Sequence, residues 1–347
     1  MITIYDLAKQ TGFSAPTISK ALNGNGNLSE ETRQTILDAA KKAGYTANMA
    51  AKSLSTKHSN LIGVILEDVA MKRGFEHPLF GGILNRFRHE IEMAGYDLLF
   101  LSKHFNDGMS YIDHCRYRNV DGILVVNPID DDPEMKTLGQ CGIPCVSANE
   151  FIPGVCTIVT DNENAGRTAA RVLSESGHVK IGFLGAPFRA NSPAAMERFN
   201  GFKSELESCG LRFDERYLEV CDAWWDQAGY DGMKKLWERC PDITAVFVVC
   251  DALAFGAMKY LLEIGKSIPD DISVIGFDDD TTVLKAAPNL CTFRQDRDKI
   301  AQLASEVLLQ EIAGIPSPQV VRVPAQYIGR SSVRRFGNFN RSEHFSY

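Results

Sequence analysis

A small all-α module followed by a larger α/β body of two doubly wound parallel-sheet lobes is the architecture this 347-residue sequence predicts. Three observations predict it. Two short amphipathic helices, separated by a glycine-containing turn, occupy residues 4–23. From residue 61 onward, apolar runs of strand length alternate with helical periodicities. That rhythm then restarts near residue 180.

The first helix, Ile4–Gly12, ends at its glycine, Phe13-Ser14 makes the turn, and Ala15–Asn23 forms the second helix. Ser14 is placed to cap the second helix, and Pro16 falls in its first turn, where the amide has no intrahelical partner. Helical spacing turns Leu7, Ala8, Ile18, Ala21 and Leu22 inward and leaves Thr17, Ser19 and Lys20 facing out. A helix, a glycine turn and a second helix form the motif whose second helix enters the DNA major groove.

In the body, Leu61–Leu66, Asp97–Leu101 and Gly122–Val126 are the first apolar runs, with Phe80, Ile83, Leu84, Phe87, Ile91 and Ala94 at helical spacing between the first two. Lys180–Leu184, Ala245–Val249 and Ser273–Phe277 repeat the pattern, with helical segments around 196–209, 226–239 and 251–265. Continuous apolar strands alternating with helices imply parallel sheets covered on both faces. Periodicity alone leaves a barrel open.

The residues Ile4–Ala8, Ser19–Asn23, Ser29–Arg33, Gly44–Leu54 and Gly329–Ser332 carry a resemblance to the LacI/GalR family of repressors that runs through essentially the whole chain. The resemblance implies a helix-turn-helix domain over 1–46, a hinge helix and linker over 47–59, and a periplasmic-binding-protein-like (type I) effector and dimerisation core over 60–336. Lobe 1 would take about 61–161 and 291–320, and lobe 2 about 162–290 and 321–336. A tail, 337–347, follows; Arg334–Tyr347 shows no heptad repeat that would mark a coiled coil. The implied partners are a pseudo-palindromic operator duplex, a second copy of the chain and a small sugar-like effector, with no membrane partner and no cofactor.

By the same resemblance, DNA contacts come from Thr3, Tyr5, Ser14, Ala15, Pro16, Thr17, Ser19, Lys20, Asn23, Asn48, Ala51 and Leu54. Ala15 and Pro16 offer only shape and methyl contact to bases, so Lys20 is the expected guanine donor. Leu54 stands where the family inserts a leucine between base steps, and a segment as short as 47–56 is expected to become helical only on the duplex.

Charge fits a DNA-binding end. The chain carries a formal −7, yet residues 1–60 hold seven Lys/Arg against four Asp/Glu, and the remainder thirty against forty. Nine scattered cysteines, with no Cys-x-x-Cys pair, are expected to be reduced thiols packed as small hydrophobes. Neither a leader-like apolar segment nor a run of membrane-spanning length occurs in the sequence, so the chain is expected in the cytoplasm. That pattern and residues 1–54 disfavour an exported solute receptor. An enzyme is disfavoured too, since neither a phosphate-binding Gly-x-x-x-x-Gly-Lys-[Ser/Thr] nor a Gly-x-Ser-x-Gly nucleophile turn is present.

Ligands of open parallel sheets bind beyond the carboxyl ends of the strands. Glu67, Asn127, Asp251 and the triplet Asp278-Asp279-Asp280 follow such strands. Each also suits a cap or turn, and Asp251 in particular is placed to cap the helix it opens. Consecutive acids splay apart, which argues against a metal site. Residue by residue, the resemblance implies effector contacts from Glu67, Asn127, Asp161, Arg198, Trp224 (in preference to Trp225), Asp251, Asp278 and Gln295. Carboxylates, an amide, an arginine and an indole face suit a polyhydroxylated ring. Two departures stand out. The segment 67–79 is longer than is usual for the family; it either reshapes the pocket or forms a solvated surface excursion, the latter being the expectation. The stretch Asn191–Ala195 lacks the further arginine of purine-binding members, which disfavours a purine.

Overall fold

The computed structural model describes residues 2–22, 27–45, 58–67, 74–103, 108–129, 131–189, 192–280 and 287–334. The chain divides into two compact units, 1–60 and 61–347.

In the first unit, helices α1 (Ile4–Thr11), α2 (Ala15–Leu22) and α3 (Glu30–Lys42) close on buried Leu7, Ile18, Ala21, Ile36 and Ala40, with Ala8 and Leu22 packed against them. A hydroxyl side chain holds each helix start. Thr3 and Asp6 form a reciprocal capping box; Ser14 Oγ accepts from the Thr17 amide at 3.3 Å, and Ser29 Oγ from the Thr32 amide at 3.2 Å. Gly12 ends α1 at φ 76°, a left-handed conformation that a residue with a Cβ adopts only with strain. Asn23, and the hinge residues Asn48, Ala51 and Leu54, lie outside the described residues.

The second unit holds two sheets. The first is six-stranded and wholly parallel, in the order β11 (Val320–Val323), β5 (Cys156–Thr160), β4 (Cys145–Ala148), β3 (Gly122–Asn127), β1 (Leu61–Leu66), β2 (Asp97–Leu101). Alternate strand residues enter two separate cores. Ile62, Val64, Leu124 and Val126 meet helices α4 (Pro78–Met93) and α10 (Arg297–Ile312), while Ile65, Ile123 and Val125 meet α5 (Tyr111–Arg118). The second sheet is ordered β7 (Leu218–Val220), β6 (Ile181–Gly185), β8 (Ala245–Val248), β9 (Ser273–Ile275), again parallel. Parallel bridges at Ile275–Cys291 and Asp278–Arg294 carry it on to β10 (Thr292–Arg294), which pairs antiparallel with β12 (Gln326–Ile328). Helices α6 (Asn162–Glu175), α7 (Ala194–Ser208), α8 (Asp226–Arg239) and α9 (Asp251–Glu263) cover this sheet, α6 packed on α7 and α8 on α9.

The chain passes between the sheets three times, and two passages correct the expected boundaries. Residues 291–294 pair with the second sheet, so that crossing falls at Gln295-Asp296. Residues 320–323 pair with β5 in the first sheet, which moves the last crossing to Pro324-Ala325. The first passage joins β5 to α6 through Asp161.

Glycine sets the helix spacing in the second lobe. A Cβ on Gly201 of α7 would overlap the Glu163 carbonyl oxygen of α6, and one on Gly256 of α9 the Asp226 carbonyl oxygen of α8. Replacing Gly201 by Ala must push the backbones apart, so it should cost about 1–3 kcal/mol in chemical denaturation, as overpacking typically does. An unchanged denaturation midpoint would show that the α6–α7 contact yields freely.

Candidate functional site

In the first unit, α2 carries most of the residues expected to meet DNA. Pro16 and Lys20 are exposed, and Ala15, Thr17 and Ser19 are half-buried. Tyr5 on α1 is 70% exposed. The hydroxyls of Ser14 and Thr17 bond each other at 2.8 Å, and Thr3 Oγ1 donates to Asp6 Oδ2 at 2.7 Å. These three side chains thus already hold helix starts, whereas Lys20 extends beyond the packed face.

In the second unit, a cavity of about 310 Å³ lies between the two sheets, at the carboxyl ends of their strands. The first sheet supplies Glu67, Asn127, Asn149 and Glu150 to its wall; the second lobe supplies Arg189, Arg198, Trp224, Asp251, Asp278 and Asp280. Gln295 joins them from the middle crossing. Seven of the eight effector residues named from the sequence therefore meet there.

Arg198 is the deepest cation in the wall, 3% exposed. Its Nε donates to Asn162 Oδ1 at 2.9 Å, one amino group donates to the Val249 carbonyl at 2.5 Å, and the guanidinium lies 3.4 Å from the centre of the Phe277 ring. Burial pulls it down to about 10, against the attraction of Asp278, so it stays charged at neutral pH.

Asp278 and Asp279 adopt φ 121° and 54°, a backbone that non-glycine residues rarely take. Their surroundings fix it. The Asp278 amide donates to the Phe293 carbonyl at 2.8 Å, Arg330 and Arg294 grip the Asp279 carboxylate at 2.5 and 2.6 Å, and the Asp280 amide donates to Asp251 Oδ2 at 3.0 Å. The triplet does splay: Asp279 turns to its two arginines, while Asp278 and Asp280 line the cavity. Although burial opposes ionisation, those arginines hold Asp279 below the usual carboxylate range. Burial lifts Asp278 to about 6, opposed by Arg198 and by the Gln295 amide, and it also raises Asp251, with Asp278 adding to the effect.

Gln295 ties the lobes together. It accepts from Thr160 Oγ1 of β5 at 2.5 Å and donates to Asp278 Oδ1 at 2.7 Å. A second inter-lobe tie is the bidentate pair of Arg322 on β11 with Glu197 on α7, at 2.9 and 2.7 Å. On the first sheet, Tyr111 O–H donates to Glu67 Oε1 at 3.0 Å, and Asn127 Nδ2 donates to the Glu67 carbonyl at 2.7 Å.

Four expectations are corrected. Asp161 does not line the cavity; its carboxylate caps α6, accepting from the Asn164 amide at 3.3 Å. Asp251 does not cap α9, because Cys250 holds the cap position and the Asp251 carboxylate turns inward to Thr292 Oγ1 at 2.7 Å. The long segment before α4 is not merely a solvated excursion. His77 stacks on Phe80 at 4.2 Å and lines the cavity with Pro78 and Leu79, while 68–73 lie outside the described residues. Arg189 also lines the cavity, which weakens the argument against a purine. Of the two tryptophans, Trp224 is on the wall and Trp225 precedes α8, 41% exposed. Sequence reasoning missed Asn149, Glu150 and Arg189. The rule that found Asn127 would have found Asn149 and Glu150, had the short strand β4 been recognised.

A helix-turn-helix module followed by a cleft between two parallel-sheet lobes defines a ligand-responsive DNA-binding regulator. Residues 3–48 match the model for bacterial regulatory proteins of the lacI family, and residues 170–333 that for a periplasmic binding protein-like domain. The chain thus joins a lacI-family DNA-binding domain to a periplasmic binding protein-like domain, and its relatives are LacI-family transcriptional regulators. It is 29% identical to the transcriptional repressor PurR of Mannheimia succiniciproducens, over 96% of this chain and 99% of that one. Among solved structures, it is similar to a transcriptional regulator CelR–cellobiose complex (TM-score 0.69, 25% identity, 96% of this chain and 100% of that one). It also shares its fold with a lac repressor dimer bound to operator and an anti-inducer (TM-score 0.78, 23% identity, 96% and 99%).

Two outcomes follow. Replacing Lys20 by Ala should cost roughly 1–3 kcal/mol on the preferred operator and relax preference at one base position in a binding-site selection. An equal loss on every sequence would reduce Lys20 to a phosphate contact. Asp278 titrates near 6 in the fold and near 3.9 in an unfolded chain, so the fold binds this proton more tightly. Its stabilising effect is complete below about pH 4 and lost as pH rises through about 6. Thermal unfolding of native protein and Asp278→Asn should therefore show the variant gaining relative stability between those pH values; a constant difference would remove Asp278 as the source.

Proposed function

We propose that this LacI-family regulator represses carbohydrate-utilisation genes from the cytoplasm as a homodimer, and that a sugar-like effector in the inter-lobe cavity controls its hold on the operator. The observation that supports this reading is the convergence of Arg198, Asp251, Asp278, Gln295, Glu67 and Asn127 on one cavity that Trp224 also lines. Carboxylates and the guanidinium read ring hydroxyls as acceptors and donors, and the indole receives the C–H face of the ring. The cellobiose complex of the similar CelR structure points the same way. Among the described residues no helix is long and apolar enough to cross a membrane.

The effector acts through lobe geometry. A ligand that prefers one arrangement of the lobes shifts operator affinity by its differential affinity for the two arrangements, typically about 1–3 kcal/mol. Gln295 and the Glu197–Arg322 pair are the contacts such a rearrangement must stretch or keep. A second reading, a nucleobase or nucleoside effector, draws support from Arg189 on the cavity wall and from the PurR relative.

Calorimetry with mono- and disaccharides, sugar phosphates, purines and nucleosides, on native protein and Arg198→Ala, separates these readings. A saccharide should bind the native chain and lose roughly 1.5–3 kcal/mol in the variant, the worth of hydrogen bonds to a charged group. Equal binding to both proteins would move the site elsewhere. Binding of a purine alone would overturn the sugar reading in favour of the second.

A further inference from the structure

At the amino end of β4 in the first sheet, two thiols meet on one peptide group. Cys141 ends the 3-10 turn Leu138–Gln140, Gly142 turns the chain at φ 78°, and Cys145 opens β4. The Ile143 carbonyl accepts from Cys145 Sγ at 3.0 Å and from Cys141 Sγ at 3.7 Å, while the Ile143 amide donates to Cys141 Sγ at 3.4 Å. Cys141 is half-buried and Cys145 buried, and neither is in a disulfide. The two therefore share a site but differ in burial, which leaves Cys141 the more accessible of the pair.

We propose that Cys141 and Cys145 form a peroxide-reactive dithiol in which Cys141 is the nucleophile and Cys145 the thiol that resolves it. Electrostatics favour that division of roles. The adjacent Cys145 thiol, then the Ile143 amide that donates to its sulfur and Arg116 on α5, bring Cys141 down to about 6, against a burial penalty. The adjacent Cys141, then burial, raise Cys145, as do Cys115 and Glu311, whose carboxylate also accepts from the Cys145 amide at 3.2 Å. The neighbouring Cys115, buried beneath the pair and close to Glu134, is pushed up to about 12 and stays a thiol.

The Cys141 thiolate attacks one peroxide oxygen, the O–O bond breaks, and hydroxide leaves, giving a sulfenic acid at Cys141. Cys145 then loses its proton and attacks the Cys141 sulfur, expelling the second oxygen as water. Two thiols and one peroxide become one disulfide and two waters, the sulfur pair having supplied two electrons. The disulfide closes a loop over Gly142-Ile143-Pro144 and pulls on the Cys145 amide that Glu311 holds.

The reduced full-length protein is exposed to hydrogen peroxide, quenched by alkylation and mapped by mass spectrometry. The expected product is a peptide lighter by two hydrogens that links Cys141 to Cys145, formed before the exposed Cys209 is oxidised. Cys145→Ser should stop at a sulfenic acid on Cys141 that a 1,3-diketone traps. On the unaltered chain, iodoacetamide at mildly acidic pH should label Cys141 about tenfold faster than Cys209, because the thiolate is the reacting form. Oxidation of Cys209 with the pair still reduced, or no preference for Cys141 in labelling, overturns the proposal. So does a Cys145→Ser variant that yields no trapped sulfenic acid at Cys141.

Discussion

A buried guanidinium organises the effector lobe. Arg198 leaves α7 and reaches Asn162 at the start of α6, the Val249 carbonyl just beyond β8 and the Phe277 ring beyond β9, so one side chain touches three elements at their cavity ends. A charge that deep is costly to desolvate, and its fork of donors offsets the cost only with partners held in place. Those partners are fixed by the sheet register, and the wall of the cavity is in turn built around the cation they hold.

Asp278 depends on the same framework. Its backbone conformation would relax in an isolated loop. Here the backbone bridge to Arg294, the Arg294 and Arg330 side chains on Asp279 and the contact of Asp280 with Asp251 hold the turn through three residues. A strained turn held so firmly keeps its carboxyl aimed before any ligand arrives, which spares the ordering cost that a mobile loop would impose on binding.

Much of this was legible in the sequence because the periodic signals were strong. Leu61–Leu66, Asp97–Leu101 and Asp226–Arg239 are strands and a helix with the bounds their patterns imply. Elements with weak local signals escaped: Cys145–Ala148 is four residues with a serine among them, and Tyr111–Arg118 carries so much charge that its buried face is only Tyr111, His114 and Cys115. The cavity residues at strand ends could be named, since topology alone brings those ends together. Asp161 could not be resolved in the same way, because Asp161 and Asn162 adjoin at a crossing and only backbone geometry decides which of them turns toward Arg198. The inward turn of Asp251 was equally hidden, being set by Thr292 and Asp280, distant in sequence.

The segment before α4 has a consequence for how such a protein can diverge. His77, at the end of the connection from β1, and Pro78–Phe80, the first turn of α4, line the cavity, while the core beneath is anchored further along α4 by Ile83, Leu84, Phe87 and Ile91. Lengthening or rewriting that connection changes what the cleft accepts while the parallel sheet, its helices and the crossings keep their packing. At this rim of the cleft, recognition can thus change through a connection on which the packing of the sheet depends little, unlike at Arg198, where cavity and fold share one side chain.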